Sequence, residues 1–345
     1  MKMMTQNKIP PKNSKTLVIQ PLQGIGDYMW FVRHLHAIAK STPEKKVTLL
    51  TRPRSHAQLL AEADPSIEEV LWLDLKPGVH DGPLGVVRLA QMLRRYRFRE
   101  AWILHSRSLR YPIACRLAGI STVYGPGMGL QKPFLSNPET FLSLEEQKQH
   151  PILRGTRVME RHHLSFLKEE APLAVDPSFL KSVRQEFGKQ KHPWMALCIS
   201  SSEASKKWPI DSFIVLGEKI FQEKKGTLFI LGGPAEAAEG MEIQAALQRQ
   251  GVEAMFVTGD LRRTLQVLRL CDFVVGNDTG VTHAAPMVGT KGLVLLGQAQ
   301  VPIHHYAPLE GLRASKTDQV VELPNNLEEI TPDQVMAKLK SLSWV

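Results

Sequence analysis

Cysteine is scarce in this chain: three residues in 345, Cys115, Cys198 and Cys271, odd in number and far apart. They supply neither a disulfide framework nor a CxxC metal site, and such usage suits a reducing compartment such as the cytosol. No window approaches 18 consecutive apolar residues, so no transmembrane helix is expected. Residues 1–15, MKMMTQNKIPPKNSK, lack the apolar run of a secretory signal. HExxH and a paired-carboxylate DxD are missing too. His34 with His36 and His304 with His305 lack partners at ligand spacing, so no metal site is expected, and His162-His163 reads as surface. Gly-x-Ser-x-Gly is absent, which argues against an α/β-hydrolase.

What is present describes a globular protein. A hydrophobic content of 43% and a charged content of 22% allow real cores and argue against disorder, and the length suits two domains. The formal charge of +9 is uneven. Residues 1–170 hold 25 Lys and Arg against 15 Asp and Glu, whereas residues 171–345 hold 18 against 19. The first half therefore invites a polyanionic partner: nucleic acid, an anionic membrane surface or a phosphorylated substrate. On charge alone, a basic surface kept for solubility explains it equally well.

Short β-rich runs alternate with helical spacing. Strands are expected at 16–20, 47–51, 69–73 and 101–105, with helices at 27–40, 55–63 and 83–95. Residues 126–150 read as loop, 155–169 as helix and 171–193 as a linker. The alternation then restarts, with strands at 194–200, 227–231, 252–257, 273–276 and 293–296. Helices follow at 210–223, 234–250, 261–270, 280–288 and 332–342. This rhythm predicts βαβ units and parallel sheets in two domains, 1–170 and 194–345, with the last helix free to pack on the first domain. Ligands of such folds lie beyond the carboxyl ends of the strands.

Three segments carry candidate chemistry. In 273–297 a buried strand ends at Gly276, the turn Asn277-Asp278-Thr279-Gly280 follows, and a helix of small residues starts at once. A helix N-terminus offers unpaired N–H groups and a positive dipole end to a phosphate. For a lone Asn-Asp-Thr-Gly, Asp278 or Thr279 as a plain helix cap is the simpler reading, but Thr279, Thr282, Gly280 and His283 all fall on that turn, which favours the phosphate site. In 200–213, serines at a strand end lead to Lys206-Lys207-Trp208-Pro209, lysines on a loop where phosphate oxygens can be met. In 20–30, QPLQGIGDYMW, a strand passes through Gly24-Ile25-Gly26 into a helix opening at Asp27. Met29 breaks the G-x-G-x-x-G fingerprint and Thr51-Arg52 replaces the ribose-binding acid, so an NAD site is not expected; NADP held by Arg52 or Arg54 stays open. Asp27 is either a substrate-directed carboxylate or a helix cap.

Taken in order, Gly24-Ile25-Gly26-Asp27, Lys206-x-Trp208-Pro209 and Asp278-Thr279-Gly280-x-x-His283 resemble the glycosyltransferase family 9 of heptosyltransferases, across nearly the whole chain. The resemblance implies an α/β protein of GT-B type, two Rossmann-like doubly wound domains facing a central cleft, acceptor in the first and nucleotide-sugar in the second. It implies a metal-independent, cofactor-free inverting transfer of heptose from ADP-heptose to a lipopolysaccharide-core or related glycolipid, in the cytoplasm or peripherally on its membrane. Asp27 matches the general base. Lys206 matches the lysine that neutralises the diphosphate, and Thr279, Gly280 and Thr282 the phosphate-binding turn. Asp278 matches the carboxylate on the donor sugar, Glu236 an acid on the ribose, Ser201 and Ser202 hydroxyls near the phosphates, and His283 an organiser of the turn. Gln23 departs from the family's usual Arg, and Gln298-Ala299-Gln300 from its usual Pro-Thr/Ser-Asp-Pro. That departure leaves donor sugar and base open.

With that reading, the arginines around the strand at 101–105, Arg107 and Arg110 among them, become expected contacts of a phosphorylated acceptor on an anionic membrane, not of nucleic acid. The rivals are an NADP-dependent oxidoreductase on the first domain and a non-catalytic anion-binding module. A pure binder has no need of carboxylates beside a phosphate site.

Overall fold

In the computed structural model, residues 15–22, 24–165, 173, 177–201, 203–297, 309–314 and 327–345 are described. The chain forms two compact units: Met1–Gln23 with Phe31–Phe166, and Gly24–Trp30 with Leu167–Val345.

The first unit is built on a five-stranded parallel sheet. Its strands are β1 (Thr16–Ile19), β2 (Val47–Thr51), β3 (Ile67–Trp72), β4 (Glu100–Ile103) and β5 (Thr122–Tyr124), in the order β3-β2-β1-β4-β5. Every residue of β1 and β2 is buried, as uninterrupted apolar strands in a parallel sheet require. Helices α1 (Ile25–Ser41), α2 (Ala57–Ala61), α3 (Gly82–Tyr96) and α4 (Arg110–Leu117) connect them, followed by α5 (Leu144–Lys148) and α6 (Pro151–Arg161). Helix α3 begins where Asp81 accepts from Gly82 N, and buries Gly85, Leu89, Ala90 and Leu93. That spacing forms one stripe, which packs with Leu17, Ile19, Leu50 and Ile103 in the core. Each leucine so buried contributes roughly 1.5–3 kcal/mol before entropy.

The second unit carries a six-stranded parallel sheet. It comprises β6 (Trp194–Cys198), β7 (Thr227–Leu231), β8 (Ala254–Val257), β9 (Phe273–Asn277), β10 (Lys291–Leu296) and β11 (Leu309–Arg313), in the order β11-β10-β9-β6-β7-β8. Its helices are α7 (Pro177–Glu186), α8 (Ile210–Lys224), α9 (Ala237–Arg249), α10 (Leu261–Leu270), α11 (Gly280–Met287) and α12 (Pro332–Ser341). Its core gathers Met195, Leu197, Leu216, Leu228, Val275 and Leu295 with Val335, Leu339 and Trp344. The last helix, α12, lies against α8 in this unit.

Both sheets are doubly wound, as the alternation predicts, and several details differ. The stretch 126–150 is not plain loop: it holds 3-10 turns at Gly129–Phe134 and Pro138–Thr140, then α5, whose Ser143 and Glu146 form a capping box. The helix expected at 155–169 starts earlier, because Pro151 fits its first turn under the His150 cap, and it ends at Arg161. Helix α7 lies within the expected linker. The helix expected at 234–250 is a 3-10 turn, Pro234–Glu236, and then α9.

Candidate active site

In the second sheet the chain winds outward both ways from β6 and β9, which are neighbours with Cys198 opposite Gly276. A crevice beyond the carboxyl ends of such a pair is the expected ligand position of a doubly wound sheet. Asn277, fully buried, closes the base of this crevice. Its Nδ2 donates to the Ile199 carbonyl at 2.8 Å and its Oδ1 accepts from Trp208 N at 3.0 Å. The Trp208 indole donates to the Ile330 carbonyl at 2.8 Å. The loop carrying Ser201 and Lys206 is therefore pinned at both ends.

Beyond Asn277 the turn reaches α11. Thr279 is its extended N-cap but makes no side-chain capping bond, and its hydroxyl is buried without a hydrogen-bond partner among the described residues. The Ser200 hydroxyl is in the same situation. Buried hydroxyls are normally satisfied, so two at one strand-end crevice mark a place for polar ligand atoms. Asp278 stands between two partners: Oδ1 is 2.8 Å from His283 Nε2, and Oδ2 is 3.8 Å from Lys206 Nζ. Lys206 also meets Glu203 at 3.3 Å. Thr282 is fully buried beneath the turn, on the Gly276 side, where a Cβ on Gly276 would come within 2.7 Å of its hydroxyl.

The turn from Gly24 to Asp27 belongs to this same unit and lies directly on the start of α11. A Cβ on Gly280 would sit 2.7 Å from Ile25 Cβ and 2.8 Å from Gly26 N, so only glycine permits the approach. Trp30 meets the His283 ring edge-to-face at 6.0 Å. Asp27 Oδ2 accepts from Gly24 N at 2.7 Å, so this carboxylate caps its helix as well as lining the turn.

The remaining expected residues are placed as follows. Glu236, nearly buried at the carboxyl end of β7, accepts from Gly233 N at 2.9 Å. Ser201 is engaged in a local turn with Glu203. The two lysines of the loop diverge, Lys207 pairing with Glu239 at 2.9 Å. Arg107 and Arg110 lie in the first unit after β4, Arg107 donating to the Gln147 carbonyl and Arg110 paired with Asp81. Ser202, Gln23 and Gln298-Ala299-Gln300 lie outside the described residues. Sequence reasoning passed over Asn277 as a brace, and Ser200 and Thr258, whose buried hydroxyls face no partner among the described residues. Their signal is position alone, each sitting at the carboxyl end of a strand. In the first unit Gln20, held by Thr51 at 2.9 Å, fills the end of β1 where a dinucleotide would approach. Burial pushes the Cys115 and Cys198 thiols up to about 12, which rules them out as nucleophiles. Among the described residues no three His, Cys, Asp or Glu gather to hold a metal ion, and no helix is long and apolar enough to cross a membrane.

A sequence profile for glycosyltransferase family 9 (heptosyltransferase) matches residues 86–326. No protein of curated function matches the chain by sequence. Among solved structures, the ADP-heptose lps heptosyltransferase II of E. coli is similar over 95% of this chain and 98% of its own, at 18% identity and a TM-score of 0.70. A glycosyltransferase family 9 protein of Veillonella parvula aligns over 95% and 97%, at 16% identity and 0.72. E. coli heptosyltransferase WaaC, solved with ADP-2-deoxy-2-fluoro heptose, aligns over 95% and 99%, at 14% identity and 0.69. At such identities the likeness is one of fold.

Proposed function

The chain belongs to glycosyltransferase family 9 and has the GT-B-type fold, and from that premise we propose that it transfers heptose from ADP-heptose to a phosphorylated glycolipid, with inversion and without a divalent metal. Membership of a glycosyltransferase family displaces both the oxidoreductase and the non-catalytic binder.

The donor's diphosphate lies over the N-terminus of α11, where the free N–H groups, the dipole, the Thr279 hydroxyl and Lys206 meet its charge. Asp278, steadied by His283, receives a sugar hydroxyl, and Glu236 the ribose. Asp27 accepts the proton of the acceptor hydroxyl as it attacks the anomeric carbon and the C–O bond to the diphosphate breaks. Arg107 and Arg110 hold acceptor phosphate. The observation that carries this reading is the seating of Ile25-Gly26 on Gly280, which sets a carboxylate-bearing turn against an anion-binding helix end. Heptosyltransferase WaaC of E. coli, solved both with ADP and with ADP-2-deoxy-2-fluoro heptose, favours an adenine nucleotide-sugar as donor.

Replacing Asp27 by Asn keeps the helix cap but removes the base. Transfer is expected to fall by about 100-fold or more, while ADP-heptose binding, read by thermal shift against UDP-, GDP- and dTDP-sugars, stays largely intact. Unchanged turnover in Asp27→Asn would overturn the role of Asp27. Stabilisation by another nucleotide-sugar alone would overturn the donor.

A further inference from the structure

The described residues include three aliphatic side chains more than 70% exposed: Leu84 (71%), Leu130 (78%) and Leu144 (76%). Single exposed leucines are ordinary on a protein surface. These three belong to one edge of one sheet. Leu84 lies in the first turn of α3, after β3, with Val87 one turn on and also exposed. Leu130 follows β5, and Leu144 opens α5.

Hydrogen bonds stitch these segments together along the carboxyl edge of the first sheet. Asp81, the cap of α3, pairs with Arg110 at the start of α4. The fully buried Gln131, next to Leu130, donates to the Ser106 carbonyl at 2.8 Å and the Ser108 carbonyl at 3.0 Å. Arg107 reaches the Gln147 carbonyl, and Arg154 donates to the same oxygen at 3.1 Å. Arg161 then clamps Glu146 of α5 through both carboxylate oxygens.

The charge along this edge is not balanced. Asp74, Asp81, Glu145 and Glu146 each have a cationic partner. Arg88, Arg107 and Arg154 are instead held by carbonyls, of Gly78 and Gln147, which fix the guanidinium groups without neutralising them. Projecting leucines among fixed, uncompensated arginines suit one partner chemistry: an anionic lipid surface, with acyl chains for the leucines and phosphates for the arginines.

We propose that the carboxyl edge of the first sheet, presenting Leu84, Leu130 and Leu144 together with the exposed Arg88 and Arg107, is the face by which the protein docks on an anionic bilayer. The proposal rests on the glycolipid acceptor above, and it names the surface through which that acceptor is reached.

The full chain is co-sedimented with vesicles of phosphatidylglycerol and phosphatidylcholine, and with vesicles of phosphatidylcholine alone. Binding is expected only to the anionic vesicles, weakening with salt, and the triple variant Leu84→Ser, Leu130→Ser, Leu144→Ser is expected to lose about tenfold in affinity or more. Arg88→Gln is expected to lower it by about fivefold. ADP-heptose thermal shift, measured on the same samples, reports the donor site separately. Vesicle binding with no donor shift would defeat the functional reading alone, whereas a donor shift without vesicle binding would defeat the docking face alone. Unimpaired binding by the triple variant would overturn the proposal. So would a wild-type dimer that the same substitutions dissolve, since the leucines would then cover a second copy of the chain.

Discussion

Lys206 is shared between Asp278 at 3.8 Å and the exposed Glu203 at 3.3 Å, while the second oxygen of Asp278 is taken by His283. A diphosphate arriving at α11 competes for Lys206 with two ion pairs, of which the one to exposed Glu203 is solvent-screened and worth little, whereas the His283–Asp278 contact does not involve the lysine. Gly280 sets the tighter constraint. Gly280→Ala suits a helix but pushes the Ile25-Gly26 backbone away, and a displacement of about 1 Å at reacting groups costs about 100-fold. We expect kcat to fall by that order and Tm to fall with it, since overpacking against backbone costs about 1–3 kcal/mol. His105 gives a prediction on stability. Burial, with Arg154 nearby, lowers its imidazole from 6.5 to about 3. The unfolded chain thus takes up a proton below pH 6.5 that the folded chain refuses. The contribution of His105 is complete above 6.5 and is lost toward 3, at about 1.4 kcal/mol per pH unit. His80 and His162, also lowered by burial, add in the same direction. Since His105 stacks on Phe31, His105→Phe should flatten the slope in urea denaturation between about pH 7 and pH 5; an unchanged slope would count against it. At this scale the Asp278-Thr279-Gly280 turn was legible, because a strand end, a glycine and a helix start are local. Asn277 was not, because its partners lie 69 and 78 residues away and are neighbours only once strand order is known.

Among the elements, buried apolar strands were the most readable. The runs at Val47–Thr51 and Thr227–Leu231 have the predicted bounds, since both are short apolar runs flanked by turn residues, too short for a typical helix. The missed elements are short or carry ambiguous residues. Strand β5 has three residues, α4 contains Pro112, and α7 is a polar helix that buries Val183 alone. Helix α12 has the opposite character: Thr331 and Gln334 form a reciprocal cap, and Val335 and Leu339 enter the second core. Thr331→Ala should cost about 1 kcal/mol, read as a lowered urea midpoint with unchanged m-value. A loss below about 0.3 kcal/mol would mean that packing alone holds the helix.

For the molecule as a whole, the charge asymmetry and the fold answer different questions. The excess of basic residues in 1–170 raised the expectation of an anionic partner and said nothing of sheet order, which came from the strand–helix alternation. Both sheets wind outward from their first strand, so each has a carboxyl-edge crevice, and in the second unit the turn proposed to bind phosphate falls there. If the donor charge is met by Lys206 and the helix end, ADP-heptose at about 100 times its Kd should stabilise the protein by about 2.7 kcal/mol. EDTA should leave that gain untouched; a gain that EDTA abolishes would overturn the metal-independent reading.

The Asn277 brace has a consequence for biosynthesis. Strand β6 leaves the ribosome long before β9, so one side of the central strand of the second sheet waits unpaired while some 70 further residues are made. During that interval the Ile199 carbonyl and the Trp208 amide have no Asn277 side chain to join, and the strand-end crevice between β6 and β9 does not yet exist. A ribosome stalled before Phe273 would hold an open, apolar strand edge, an invitation to chaperones or to aggregation. Arrival of the Phe273–Asn277 strand covers that edge and locks the pocket loops in the same event. For this chain, acquiring the fold of the second sheet and acquiring a place to bind are one step in time.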